Sequence, residues 1–206
     1  MLRIPGVRRG LTATAWVWMS ALVGAALLFV ACGAGTSGGR RAASNSPASV
    51  ASTTPPTAPQ DAKLSAADFR NINTMTRVGD HFLTNVRGHL PEALQVARSA
   101  SGGTYPVGTI IQLVPQEAMV KRAKGYSPST NDWEFFSLDV SSHGTRILSR
   151  GGAKVVNRFG GSCASCHSAA EAPFDFVCGT THGCAPLPIG PDVIAALQRS
   201  DPRPRT

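Results

Sequence analysis

Aromatic side chains are scarce, at 6% of the 206 residues, and none interleaves with the one basic cluster, Lys121-Arg122-Lys124. A nucleic-acid surface combines a basic stripe with such side chains, so this cluster reads as a solvated loop and nucleic acid is not expected as a partner. Large apolar residues are almost absent from residues 33–62, GAGTSGGRRAASNSPASVASTTPPTAPQDA. Such a stretch cannot bury enough surface to fold. It reads as a tether whose ends lie about 30 Å apart as a flexible coil. No internal repeat is present, which leaves residues 63–206 as a single ordinary domain.

Charge is absent from residues 11–31, LTATAWVWMSALVGAALLFVA, which follow Arg3, Arg8 and Arg9 and end at Cys32. A basic start, an apolar run and a small residue before the break have the form of an export signal. Leu28-Phe29-Val30-Ala31-Cys32 resembles a bacterial lipobox, with Phe29 where leucine is usual. Residues 1–31 are therefore expected as a lipoprotein-type signal, and 32–62 as a lipidated cysteine and tether. The alternative is an uncleaved transmembrane anchor, because the run has about the ~20 residues that span a bilayer. Either reading puts the remaining chain outside the cytoplasm, on the periplasmic side of a membrane. The formal charge of +8 then overstates the basicity of the exported part. Without Arg3, Arg8 and Arg9 there remain 17 basic against 12 acidic residues.

Five cysteines are an odd number for an exported chain. Cys163, Cys166 and His167 form Cys-x-x-Cys-His, the attachment signature of haem c. Two thiols add to the vinyl groups, and the adjoining histidine lies beneath the iron as its axial ligand. With Cys32 lipidated, Cys178 and Cys184 remain, and an oxidising compartment favours a disulfide between them. The rival is a zinc site using both pairs with His167 or His182, but the five residues between Cys178 and Cys184 exceed the usual Cys-x₂₋₄-Cys spacing.

The pattern of the folded part predicts an α+β domain with a small antiparallel sheet and flanking helices. Ser65 and Asp68 have the spacing of a capping box. Phe69, Ile72, Met75 and Val78 then predict a short amphipathic helix. A second helix is expected from Pro91 to about Ser99, stopped by Gly102-Gly103. Strands are expected at 109–114 and 133–140, with a turn at 141–144 leading into a third at 145–149. Residues 116–131 read as an excursion, partly helical at QEAMVKRAK. A last helix, capped by Asp192, runs towards Asp201-Pro202.

No methionine follows His167. An ordinary small cytochrome c is all-helical, with its motif near the N-terminus and an axial methionine well downstream, so that class is excluded. Tyr105-Pro106-x-Gly108-Thr109, then Asp132-Trp133-x-Phe135-Phe136, then Cys163-x-x-Cys166-His167 and Asp175-Phe176-Val177 together resemble the cytochrome P-460 family. The likeness covers about residues 65–180. It implies a mostly antiparallel β fold, often dimeric, with a c-type haem held by one histidine and the other side of the iron open to a small ligand. Members include hydroxylamine-oxidising enzymes and cytochromes c-prime-beta, which bind nitric oxide and carbon monoxide. In the hydroxylamine-oxidising members a lysine on the Gly-Thr strand cross-links to the haem. Leu113 stands at that place here, Lys121 and Lys124 lie beyond it, and a non-cross-linked, gas-binding type is implied instead.

Trp133 and Phe135 share one face of their strand. They, with Leu113, are candidates to line the haem pocket, against the plainer role of core packing. Glu134 points the other way and is not proposed as a base. His81, His89, His143 and His182 are each a candidate sixth ligand, which would make the protein an electron carrier with a redox partner. A redox enzyme acting on a small nitrogen compound or peroxide would need a proton relay, and none is evident in the sequence.

Overall fold

The computed structural model describes residues 61–179, 181–183 and 186–205. The expected signal, Cys32 and nearly all of the tether lie outside the described residues, as does Cys184. Six strands form one antiparallel sheet in sequence order: β1 (Thr76–Val78), β2 (His81–Asn85), β3 (Thr109–Gln112), β4 (Glu117–Lys121), β5 (Trp133–Ser141) and β6 (Gly144–Gly151). The helices are α1 (Leu90–Ala97), the short α2 (Cys163–His167) and α3 (Pro191–Arg199). The α+β class follows directly.

Register divides the side chains between two layers. Leu83 pairs with Ile111, Ile111 with Met119 and Met119 with Phe135, so these four form one row across the sheet. Because side chains alternate along a strand, His81, Glu117, Lys121 and Trp133 share that face. Tyr105 and Val177 pack there, with Ala93 of α1 and Cys163 and Ala164 of α2. The opposite face carries Ile110, Ala118, Val120, Phe136 and Leu138, covered by Phe69. The Phe69 and Phe136 rings lie 4.7 Å apart.

Two expectations fail. The helix anticipated over Phe69–Val78 is a 3-10 turn at Ile72–Thr74 running into β1, preceded by another at Ala66–Asp68. The C-terminal segment decides this. Asn71 Nδ2 donates to the carbonyls of Asp201 and Arg203, and the Ile72 amide donates to the Asp201 carboxylate at 2.8 Å. These bonds hold the backbone away from the α-helical path. The capping pair does form, with the Ser65 amide 2.7 Å from the Asp68 carboxylate.

The second failure is the excursion at 116–131. Glu117–Lys121 is β4, a central strand paired with β3 and β5. Helix-favouring Glu, Ala, Met and Lys gave no strand signal, but pairing on both edges and burial on both faces outweigh local propensity. Lys121 therefore sits in the sheet, 6% exposed, and not in a solvated loop. A smaller difference is at α3, whose N-cap is Gly190, with Asp192 inside the first turn.

Candidate functional site

The five-residue α2 sets Cys163, Cys166 and His167 at positions i, i+3 and i+4, on one face of a helical turn. Ser162 caps it by accepting the Ser165 amide. The Cys163 amide donates to the Val155 carbonyl at 3.0 Å, which fixes the turn against the core. All three motif side chains border a cavity of about 520 Å³, well within the roughly 300–1,000 Å³ of small-molecule and cofactor sites. Its floor is the sheet face of Ile111, Leu113, Met119 and Phe135, and Val177 and Ile194 add apolar walls. Phe159 and Leu187, both substantially exposed, stand among the lining residues.

His167 is held through one nitrogen. Its Nδ1 lies 3.0 Å from the Phe176 carbonyl oxygen, and since a carbonyl can only accept, Nδ1 carries the proton. Nε2 is left with a lone pair, the arrangement of a metal-ligating histidine. Burial holds this imidazole below its usual value, partly opposed by the Phe176 bond, which favours the neutral form. Its ring packs on Phe135, centroids 5.1 Å apart.

A strap behind the histidine carries that carbonyl. Asp175 and Phe176 both adopt positive φ, 52° and 67°, which costs a non-glycine residue about 1–2 kcal/mol each. Four bonds to Asp175 and its neighbours hold the turn. Lys121 Nζ donates to the Asp175 carboxylate at 2.6 Å, and the Tyr105 amide donates to the same group at 2.9 Å. Trp133 Nε1 donates to the Asp175 carbonyl at 2.6 Å, and the Gly103 amide to the Pro173 carbonyl at 2.8 Å. Lys121 Nζ also donates to the Asn131 carbonyl.

The candidates from sequence thus separate. Leu113, Phe135, Cys163, Cys166 and His167 border one cavity, and Cys178 joins them. Trp133 does not border it. It lies fully buried against Tyr105 and anchors the strap. Cys178 Sγ is 3.5 Å from the Cys166 carbonyl oxygen; its expected pairing with Cys184 lies outside the described residues. Glu134 faces away, bound by Arg150 at 2.7 and 3.0 Å. Of the four histidines weighed as a further ligand, only His81 borders the cavity. His182 stacks on Phe174 at 3.8 Å, and His143 is exposed.

Two rival chemistries fit less well. A redox dithiol works through a lowered thiol, whereas burial, with Glu117 nearby, pushes Cys163 up to about 11. A structural zinc needs four convergent donors; among the described residues no three His, Cys, Asp or Glu gather to hold a metal ion, and Cys184, one donor of that rival, lies outside them. Searches of protein-family models, of curated proteins and of solved structures find no match to this chain. The reading therefore rests on the motifs and on this geometry.

Proposed function

We propose that residues 63–206 form an exported mono-haem c domain in which a small molecule meets the iron inside the apolar cavity. The observation that carries this is the donor set at the cavity: two thiols and one imidazole on a single helical face, with the imidazole held through Nδ1 so that Nε2 is free. Those groups fit the group inferred. Cys163 and Cys166 would hold it by thioether bonds, and His167 would bind its iron. When bound, the haem supplies an iron able to bind a diatomic such as nitric oxide or to exchange an electron.

The chain's own residues set the conditions. Phe176 O orients the His167 ring and raises its basicity as a ligand. Leu113, Met119 and Phe135 exclude water and favour neutral ligands over charged ones. Leu113, just past the end of β3, offers no amine for a cross-link to the macrocycle, and neither do Thr109, Ile110, Ile111 or Gln112 of that strand, so hydroxylamine oxidation is the less favoured activity. The likeness to the cytochrome P-460 family supports the same reading and extends it to a homodimer. Lipid at Cys32 would hold the domain at the periplasmic side of a membrane, and a Cys178–Cys184 disulfide would suit that compartment.

The test is to express the full chain together with a c-type maturation system and assay covalent haem after denaturation. Haem that stays with the polypeptide, and is lost in Cys163→Ala/Cys166→Ala, supports the reading. A chain that matures without retaining haem overturns it.

A further inference from the structure

His81 is the second imidazole of the cavity, and its Nε2 is buried without a hydrogen-bond partner among the described residues. Its Nδ1 stands 3.2 Å from the Asp80 carboxylate. That contact itself holds Asp80 below the ordinary carboxylate range, so the carboxylate accepts and Nδ1 carries the proton. His81 is thus held by Nδ1, as His167 is, and in its neutral form carries a bare lone pair on Nε2. A buried polar atom left unpaired is costly and rare. A carboxylate behind an imidazole is a recurrent support for a metal-bound histidine.

The register says which strands the two rings stand over. His81 opens β2 on the cavity face, and His167 rests on Phe135 of β5. Strands β3 and β4 lie between, so the β2 and β5 backbones are three steps of about 4.8 Å apart, about 14 Å in all. Both imidazoles border the cavity, one over each side of its floor.

We propose that His81 is a displaceable second axial ligand of the bound haem, and that an incoming small molecule reaches the iron by replacing it. This rests on the haem reading above. The two histidines differ in how firmly they are held. His167 belongs to a motif fixed at two cysteines and backed by the strap. His81 follows a tight turn at Gly79-Asp80 beside β1, a three-residue edge strand, and its Asp80 partner is 60% exposed. Displacement at His81 asks the edge hairpin to yield against a tie to α3, where Gln198 Nε2 donates to the Asp80 carbonyl at 2.6 Å.

The experiment uses the full chain carrying covalent haem, with carbon monoxide as the probe. Haem content measured after denaturation first separates failure of the haem reading from failure of this one. With haem attached, the reduced protein is expected to be low-spin. Its carbon monoxide binding rate should level off with gas concentration, because His81 release becomes limiting. His81→Gly should be high-spin and bind at a rate linear in concentration, and added imidazole should restore the low-spin spectrum. Asp80→Asn should raise the plateau rate about tenfold, the scale of losing such a supporting carboxylate. A high-spin wild-type protein with linear kinetics would overturn the proposal. So would a low-spin spectrum that survives His81→Gly without imidazole. If the glycine variant does not fold, the wild-type kinetics and Asp80→Asn still decide.

Discussion

Replacing Lys121 by methionine strips the ammonium from the strap behind His167 while keeping most of the side-chain volume. The Lys121 and Asp175 side chains are 8% and 7% exposed, with their charged atoms 2.6 Å apart. In the variant Asp175 keeps the Tyr105 amide but loses its counter-charge. Removing one partner of a buried pair costs about 3–5 kcal/mol, because the other charge stays behind uncompensated. The Lys121 contact over the Trp133 ring, at 5.3 Å, adds on the order of 1 kcal/mol. With a urea dependence of about 2 kcal/mol per molar, the midpoint should fall by about 2 M. Trp133 is the one tryptophan after residue 18, so its fluorescence in the haem-free chain reports this region, with circular dichroism as the global check. Lys121→Met/Asp175→Asn removes both charges and should recover most of the loss.

The same variant has a pH signature. Burial already raises the wild-type Asp175 carboxyl above its ordinary value, outweighing the pull of Lys121. Without the ammonium it rises further, so the native state binds this proton more tightly than the unfolded chain. Stability contributed by the protonated form is full below about pH 4, the unfolded value, and is lost as pH rises towards the folded one. The deficit against wild type should therefore be smaller at pH 5 than at pH 8. A single variant that loses under about 1 kcal/mol, or a double variant no better than the single, would refute the assignment of the pair as the strap's anchor.

Two further substitutions address a wall of the cavity and the segment packed against the strap. Burial raises the Glu117 carboxyl, partly opposed by the Arg158 amide, so wild-type stability should decline as pH climbs above about 4.3; Glu117→Gln should flatten that decline in denaturation midpoints taken from pH 4 to 8. Gly102 has φ +72°, and a Cβ there would run into the backbone carbonyl of Pro173. Gly102→Ala should therefore cost about 3 kcal/mol or more, seen as a melting temperature lowered by about 10 °C.

What could be read in the sequence was local. α1, β3, β5 and β6 have ordinary propensities, capping and turn residues, and Cys163–His167 is a contiguous motif. What could not be read depended on distant partners. The three-residue spacing of Phe69, Ile72 and Met75 suits 3-10 turns better than an α-helix, yet only Asp201 and Arg203, some 130 positions away, settle the matter. β4 looks helical until its two neighbours are in place. The strap was visible only as the string Asp175-Phe176-Val177; its anchors Lys121, Tyr105 and Trp133 come from three other places in the chain. His81 was one of four candidate histidines until the fold set it, alone among those four, at the cavity.

The cavity itself supports an occupant independently of any motif. One face of the sheet is closed by Phe69, Phe136 and their neighbours, while the other leaves about 520 Å³ between apolar side chains. A sealed, dry void of that size would cost on the order of 12 kcal/mol at about 24 cal/mol per Å³, as much as the whole stability of an ordinary domain. Exposed Phe159 and Leu187 among the lining residues let water in and lower that figure. Water nonetheless needs two to four polar partners, which the lining offers at Asp80, His81, Glu117, Asn157 and His167 and not along Leu113, Met119 and Phe135. A domain shaped in this way is most stable when a large apolar body fills the space, and a haem covalently bound at Cys163 and Cys166 would be such a body. On that reading the cofactor completes the core as well as the site. The haem-bearing chain should then unfold at higher urea than the haem-free chain, and equal midpoints would count against a buried macrocycle.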